Sequence, residues 1–254
     1  MKVDHISSSG LKTHDQCPLK YSATYEMDLP KPPPHPNTVM GSAVHEMMEH
    51  STKNRIQKGS DLSRNDPMTW KAEIVAKLKV EYGLHPLIDE LVGNAVRWGY
   101  FRNINRTVGC EVPIDFPLPD DTHVTGFIDR LDVMAPDADI IDLKTQKNAF
   151  SDEELEHNWQ AKIYNIGARI IRPEITGNAT VSFWVLRHMV QRVVLTAEDA
   201  VRDTKLIADK VAEIKACKDP EGRPSGLCPW CPYDKQCPVK NGNARQRLQR
   251  MMKR

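Results

Sequence analysis

Four of the six cysteines in this 254-residue chain have a spacing suited to metal chemistry. Three stand together in Cys228-Pro-Trp-Cys231-Pro-Tyr-Asp-Lys-Gln-Cys237, and the fourth, Cys17, lies near the other end in Gln16-Cys17-Pro18-Leu19-Lys20-Tyr21. Four thiolates can close a zinc or an iron–sulfur site. Structural zinc modules usually take their ligands from two short-spaced pairs in one small segment. One tight cluster plus one distant ligand suits a four-cysteine iron–sulfur cluster better, since its thiolates often come from remote segments. Zinc in the same set stays open. Cys110 starts an apolar alternation and is expected in the core. Cys217 ends a helical stretch and is expected to be a free thiol.

A second group of residues suits hydrolysis of phosphodiesters. Asp129 ends Gly126-Phe127-Ile128-Asp129, and Asp142 and Lys144 close Ile140-Ile141-Asp142-Leu143-Lys144. Residues two apart on a strand share a face, so Asp142 and Lys144 project together. Asp129 joins them if its strand pairs with theirs. Carboxylates hold a hard divalent cation through oxygen. Such a cation acidifies a bound water and shields the phosphate's developing charge. A lysine beside it orients that water and offsets charge near the scissile phosphate. Alone, Asp-x-Lys is a common and weak pattern. His45, in Gly41-Ser42-Ala43-Val44-His45, adds an imidazole suited to metal binding. Gln160 and Tyr164, four apart, share one helix face. Glu111 is a strand acid whose plain role would be a solvated edge.

These residues need elements to hold them. Ser7-Ser8-Ser9 reads as the entry of a short helix carrying Cys17. Pro30, Pro32, Pro33, Pro34 and Pro36 enforce an extended loop. Residues 37–106 read as helical, with breaks near Gly59–Asp66 and at Pro86. Strands are expected at 110–116, 124–133 and 138–143. Ser151-Asp152-Glu153-Glu154 is a capping box for a helix reaching about Ile171. Strands at 179–186 and 190–195 follow, then a helix at 198–216 with Thr196 as its N-cap. This order predicts an α/β fold with an N-terminal helical elaboration. Four regions are expected: a cluster-ligand segment at 1–36, helices at 37–106, a core at 107–216, and a cysteine cluster with basic tail at 217–254.

In this order, Gly-x-x-x-His, Gly-x-x-Asp, Asp-x-Lys and Gln-x-x-x-Tyr resemble the RecB-like nucleases of the PD-(D/E)XK superfamily. Ser9-Gly10-Leu11, Cys17-Pro18-Leu19-Lys20-Tyr21 and the C-terminal cysteines resemble its iron–sulfur branch. That branch includes CRISPR-associated RecB-like exonucleases, the AddB nuclease domain and exonuclease V. The resemblance runs from about Ser7 to Cys237. It implies a restriction-endonuclease-like core with magnesium or manganese on His45, Asp129, Asp142 and the Leu143 carbonyl. It implies a catalytic Lys144, and Gln160 and Tyr164 lining the DNA path or supporting the site. Glu111 would assist DNA or metal binding. Cys17, Cys228, Cys231 and Cys237 would hold a [4Fe–4S] cluster joining the two ends of the chain. The implied activity is a metal-dependent exonuclease on single-stranded DNA or DNA ends. An iron–sulfur DNA-end-binding protein and a structure-specific or RNA endonuclease are the alternatives. The chain has no Walker A motif, so a nuclease without a helicase motor is expected. The small size also suits a phage-encoded or CRISPR-linked enzyme.

Composition restricts the rest. Net charge is +1, so any nucleic-acid surface must be local. The tail after Cys237 carries Lys240, Arg245, Arg247, Arg250, Lys253 and Arg254 with no acid, and suits phosphate contact. Trp159 and Tyr164 are candidates for stacking on bases. Trp70, Trp98 and Trp184 are expected in the core, and Trp230 over the cluster. No run of eighteen apolar residues exists, so no membrane span is expected. Reduced cysteines without a signal peptide suggest the cytoplasm.

Overall fold

The computed structural model describes residues 3–27, 29, 33–57 and 61–239. Pro30, Pro32, Gly59 and the basic tail from Lys240 onward lie outside these residues. The chain divides into two compact units. The first takes its described residues from 1–33, 117–125 and 204–239, the second from 34–116 and 126–203.

The first unit begins with β1 (His5–Ile6), α1 (Ser8–Gln16) and α2 (Pro18–Tyr25). The Ser7 hydroxyl accepts from the Gly10 N–H and starts α1. Cys17 is not carried inside a helix, as expected, but sits between two of them. Its extended backbone (φ −166°, ψ 107°) ends α1, and its sulfur caps α2. Pro18 enforces this break: it is accepted in the first turn of a new helix but cannot continue the old one. β1 pairs in parallel with the start of β3 (His123–Met134), with Ile6 opposite Val124. Two residues are too few to show a strand period, so β1 was not legible in the sequence. Most of α8 (Ala197–Ala216) belongs here as well. Lys210 pairs with Asp15 at 2.7 Å and Lys215 with Asp120 at 2.8 Å. The Leu19 N–H donates to the Glu221 carbonyl at 3.2 Å, bringing the C-terminal segment beside α2.

The second unit holds α3 (Pro36–Ile56), α4 (Lys71–Leu78) and α5 (His85–Arg97). Pro86 lies in the first turn of α5 instead of breaking a helix; the break precedes it, at Lys79–Leu84. β2 (Thr107–Pro117), the rest of β3, β4 (Asp137–Lys144), β5 (Ala179–Val185) and β6 (Met189–Leu195) follow, with α6 (Asp152–Glu156) and α7 (Trp159–Ile171) between β4 and β5. The single helix expected after Ser151 is two. The capping box starts α6, and Asn158 starts α7 by accepting from the Gln160 and Ala161 N–H groups. Strand order is β1-β3-β4-β5-β6, with β2 also on β3. β4 runs antiparallel to β3 and parallel to β5. Ile140, Ile141, Asp142 and Leu143 are all buried, as a central strand covered on both faces requires. Met40, Val44, Met47 and Met48 of α3 pack with Leu91 and Val92 of α5 and with Ile141 and Leu143 of β4 in one core.

Candidate active site

β3 and β4 pair as far as Arg130 opposite Ile141. One step further Asp129 would face Asp142, but the ladder stops. Instead an Asp129 carboxylate oxygen accepts the Leu143 N–H at 2.7 Å. The strand period turns Leu143 into the core and leaves Asp142 and Lys144 on the other face. There the Lys144 ammonium lies 2.6 Å from Asp142 Oδ2, an ion pair outside hydrogen-bond geometry.

α7 completes this group. Gln160 donates to Asp142 Oδ1 at 2.8 Å and accepts from Lys144 at 2.8 Å. The Tyr164 hydroxyl donates to the same Asp142 oxygen at 2.9 Å. Tyr164 is 3% exposed, so its ring offers no face to a base, contrary to the stacking expectation. Its role in this arrangement is support. Gly167, one turn on, brings α7 close to β2: a Cβ there would meet three Ile114 side-chain atoms at 2.7–2.9 Å.

α3 brings His45, whose Nδ1 lies 3.3 Å from Asp129 Oδ2. Gly41, one turn earlier, lets α3 approach the residue after Lys144: a Cβ would stand 2.8 Å from Thr145 Oγ1. Glu111, expected near the start of a strand at 110–116, sits midway along β2 with φ +49°. Such a backbone is costly for a side-chain-bearing residue. His45, Glu111 and Asp129 each offer a donor atom, all within 4.8 Å of one another. They line a depression of about 1010 Å³ with Leu143, Lys144 and Glu49. Glu49 was missed in the sequence, though it stands four residues after His45 and hence on the same helix face.

The electrostatics separate the acids. Burial raises Asp129's pKa, but the His45 charge and hydrogen bond and the Leu143 N–H outweigh it, and the net shift is downward. Asp142, 1% exposed, is raised by burial and by Asp129 despite Lys144. Glu111 is pushed up to about 7, first by burial, then by Asp129 and Glu49. His45 loses by burial but gains more from Asp129, and ends at about 9. Three carboxylates thus face two cationic groups, His45 and Lys144. The donors gathered there are oxygens and an imidazole. That set fits a hard divalent cation.

The cysteines converge in the first unit. Cys17, Cys228, Cys231 and Cys237 all line one cavity of about 380 Å³. Backbone N–H groups aim at their sulfurs: Lys20 and Arg223 donate to Cys17 at 3.4 Å, and Ser225 donates to Cys228 at 3.3 Å. Trp230 does not cover this cavity; it is 80% exposed. The turn Cys228–Trp230 has three residues per turn, so Cys228 and Cys231 share a side and Trp230 points elsewhere. Cys110 is buried as expected. Among the described residues no helix is long and apolar enough to cross a membrane.

Comparison with known proteins agrees with this geometry. No curated protein matches the chain. A solved "Putative exonuclease" from Eubacterium rectale covers 91% of this chain and 87% of its own, with 12% identity and a TM-score of 0.54, which shows a shared fold. The structure of SSO0001 covers 94% and 88% at 13% identity, but its TM-score of 0.45 adds no argument. The description of the PD-(D/E)XK nuclease superfamily matches residues 5–238. With nearly the whole sequence so matched, the chain belongs to the PD-(D/E)XK nuclease superfamily.

Proposed function

We propose that the chain is a metal-dependent exonuclease on single-stranded DNA or DNA ends, of the RecB-like branch that carries a [4Fe–4S] cluster. Membership of the superfamily makes it a nuclease with a nucleic-acid substrate and a divalent metal. The observation that carries the reading is the meeting of His45, Glu111 and Asp129 beside the Asp142–Lys144 pair. His45, Asp129, Asp142 and the Leu143 carbonyl would hold magnesium or manganese, with Glu111 as a further oxygen donor. A cation bound there supplies Lewis-acid polarisation of the phosphate and acidifies the attacking water. Gln160 and Tyr164 hold Asp142 in place through Oδ1, leaving Oδ2 toward Lys144. Lys144, steadied by Gln160, orients the attacking water and offsets charge at the scissile phosphate.

For the cluster, Cys17, Cys228, Cys231 and Cys237 supply four thiolates, and the N–H···S bonds are of the kind that tune iron–sulfur centres. A single tetrahedral zinc, about 2.3 Å from each sulfur, would draw the sulfurs to about 3.8 Å from one another. Among the described residues, no three cysteine sulfurs lie within 4.8 Å of one another; only His45, Glu111 and Asp129 are so gathered. Four thiolates on one cavity can hold either a multi-atom cluster or one zinc, and sulfide analysis separates the two. The exonuclease named in Eubacterium rectale is a fold relative and is consistent with action at ends.

The test is incubation with linear and circular single-stranded DNA, duplex DNA and RNA, each with manganese. Loss of linear DNA alone is the expected result. Cleavage of circles or RNA would move the reading to an endonuclease or ribonuclease. Binding of ends without cleavage would make the chain a DNA-end-binding protein.

A further inference from the structure

Arg187 lies in the turn between β5 and β6 and lines the same depression as His45, Glu111 and Asp129. Three successive contacts fasten this turn to the end of β4 and the segment after it: the Leu186 N–H donates to the Lys144 carbonyl at 2.9 Å, Arg187 Nε donates to the Thr145 carbonyl at 3.1 Å, and the His188 ring meets the Lys147 carbonyl. The guanidinium is therefore placed relative to Lys144 by main-chain bonds. Only its Nε–H is used, and no carboxylate pairs with it among the described residues. The other cations of the depression differ. Lys77 pairs with Glu46 at 2.5 Å and Lys144 with Asp142 at 2.6 Å. Lys147 is exposed on the fastened segment, lines the depression, and also has no carboxylate partner among the described residues.

A guanidinium tethered at Nε keeps its two terminal amino groups for bidentate contact with a phosphate. The scissile phosphate belongs beside Lys144. Arg187 and Lys147 stand past it along the chain, where the uncommitted Lys and Arg charges of the depression are found. We propose that Arg187, assisted by Lys147, binds the strand phosphate that neighbours the scissile one and so sets the strand's register on Lys144. This rests on the nuclease reading above and adds a specificity-determining subsite to it.

The experiment is binding of a short fluorescein-labelled single-stranded DNA in calcium, followed by anisotropy over a range of salt. Arg187→Ala should raise Kd about tenfold, as loss of a charge-assisted contact would. It should lower the slope of log Kd against log salt by about 0.7, one phosphate contact on a single strand. A set of oligonucleotides then carries one neutral methylphosphonate at each linkage in turn. One position should weaken the wild type by a like factor and leave Arg187→Ala unaffected. Arg187→Lys should keep the slope, since its charge remains, and lose part of the affinity. Lys147→Ala, at an exposed position, should lower the slope on its own. In turnover, Arg187→Ala should raise KM and, because the strand loses its register on Lys144, lower kcat as well. Unchanged salt slopes, or a methylphosphonate effect that adds equally in both proteins, would overturn the subsite. So would a wild type that binds no single strand. A wild type that binds but does not cut would defeat the nuclease reading alone, and the binding series would still decide the subsite.

Discussion

Asp142 and Lys144 are two residues apart on β4, and their neighbours make them act as a unit. Tyr164 and Gln160 hold one oxygen of Asp142, and Lys144 faces the other. Asp142→Ala should therefore abolish cleavage and leave the absorption of the proposed cluster intact, a loss on the order of 3 kcal/mol or more in transition-state stabilisation. Steady-state kinetics with a melting curve check this. Glu111 gives a pH signature. Its folded pKa of about 7 lies above the ordinary carboxyl value, so between the two the native state binds the extra proton. In metal-free protein, stability should then fall as pH rises from about 4.5 to about 7. Glu111→Gln should flatten that fall and melt higher than wild type at pH 8 in EDTA. Manganese should restore the wild type most at high pH, since a metal-bound carboxylate must be ionised. A melting temperature that rises through this window in EDTA would contradict the assignment.

At the scale of elements, the strand-borne residues were legible because a two-residue period needs only a short run to show itself. The Asp129, Asp142 and Lys144 positions followed from that period, and so did the extents of β3 and β4 within a residue. What was not legible depended on contacts between elements. The φ of Glu111, the burial of Tyr164 and the presence of Glu49 in the depression arise where α3, α7 and the sheet meet. No local pattern records that meeting. Asn158 shows the converse: it splits one expected helix in two by capping α7, a signal that the strong capping box at Ser151 masked. Close approach of elements yields a prediction. Gly167→Ala would drive a methyl group into Ile114, so it should destabilise the protein by about 1–3 kcal/mol as an overpacked contact. Urea denaturation measures this, and Ile114→Val in the same chain should recover part of the loss.

Over the whole molecule, Cys17 is separated from Cys228 by nearly the full chain, yet both line one cavity. A group bound by both would close a very long loop, and its binding free energy would become folding free energy. Cys17→Ser should lose iron, sulfide and thermal stability together, whereas Cys110→Ser and Cys217→Ser should keep the iron. Anaerobic purification with iron, sulfide and zinc analysis checks this. One zinc per chain without sulfide would replace the cluster by a zinc site. The type and spacing of these cysteines led to the expectation of a shared site, and the structure places all four on one cavity. The N–H groups that point at them were not legible, because one belongs to the first turn of α2 and the others to the irregular segment before Cys228, and their aim depends on how those stretches are placed.

The most direct measurement of the central claim is nucleotide release from labelled linear single-stranded DNA by wild type and Lys144→Ala, side by side, with manganese and with EDTA. The account predicts release by the wild type only with metal, and at least a hundredfold slower release by Lys144→Ala at unchanged fold and iron content. Wild-type turnover by Lys144→Ala, or full wild-type activity in EDTA, would contradict it.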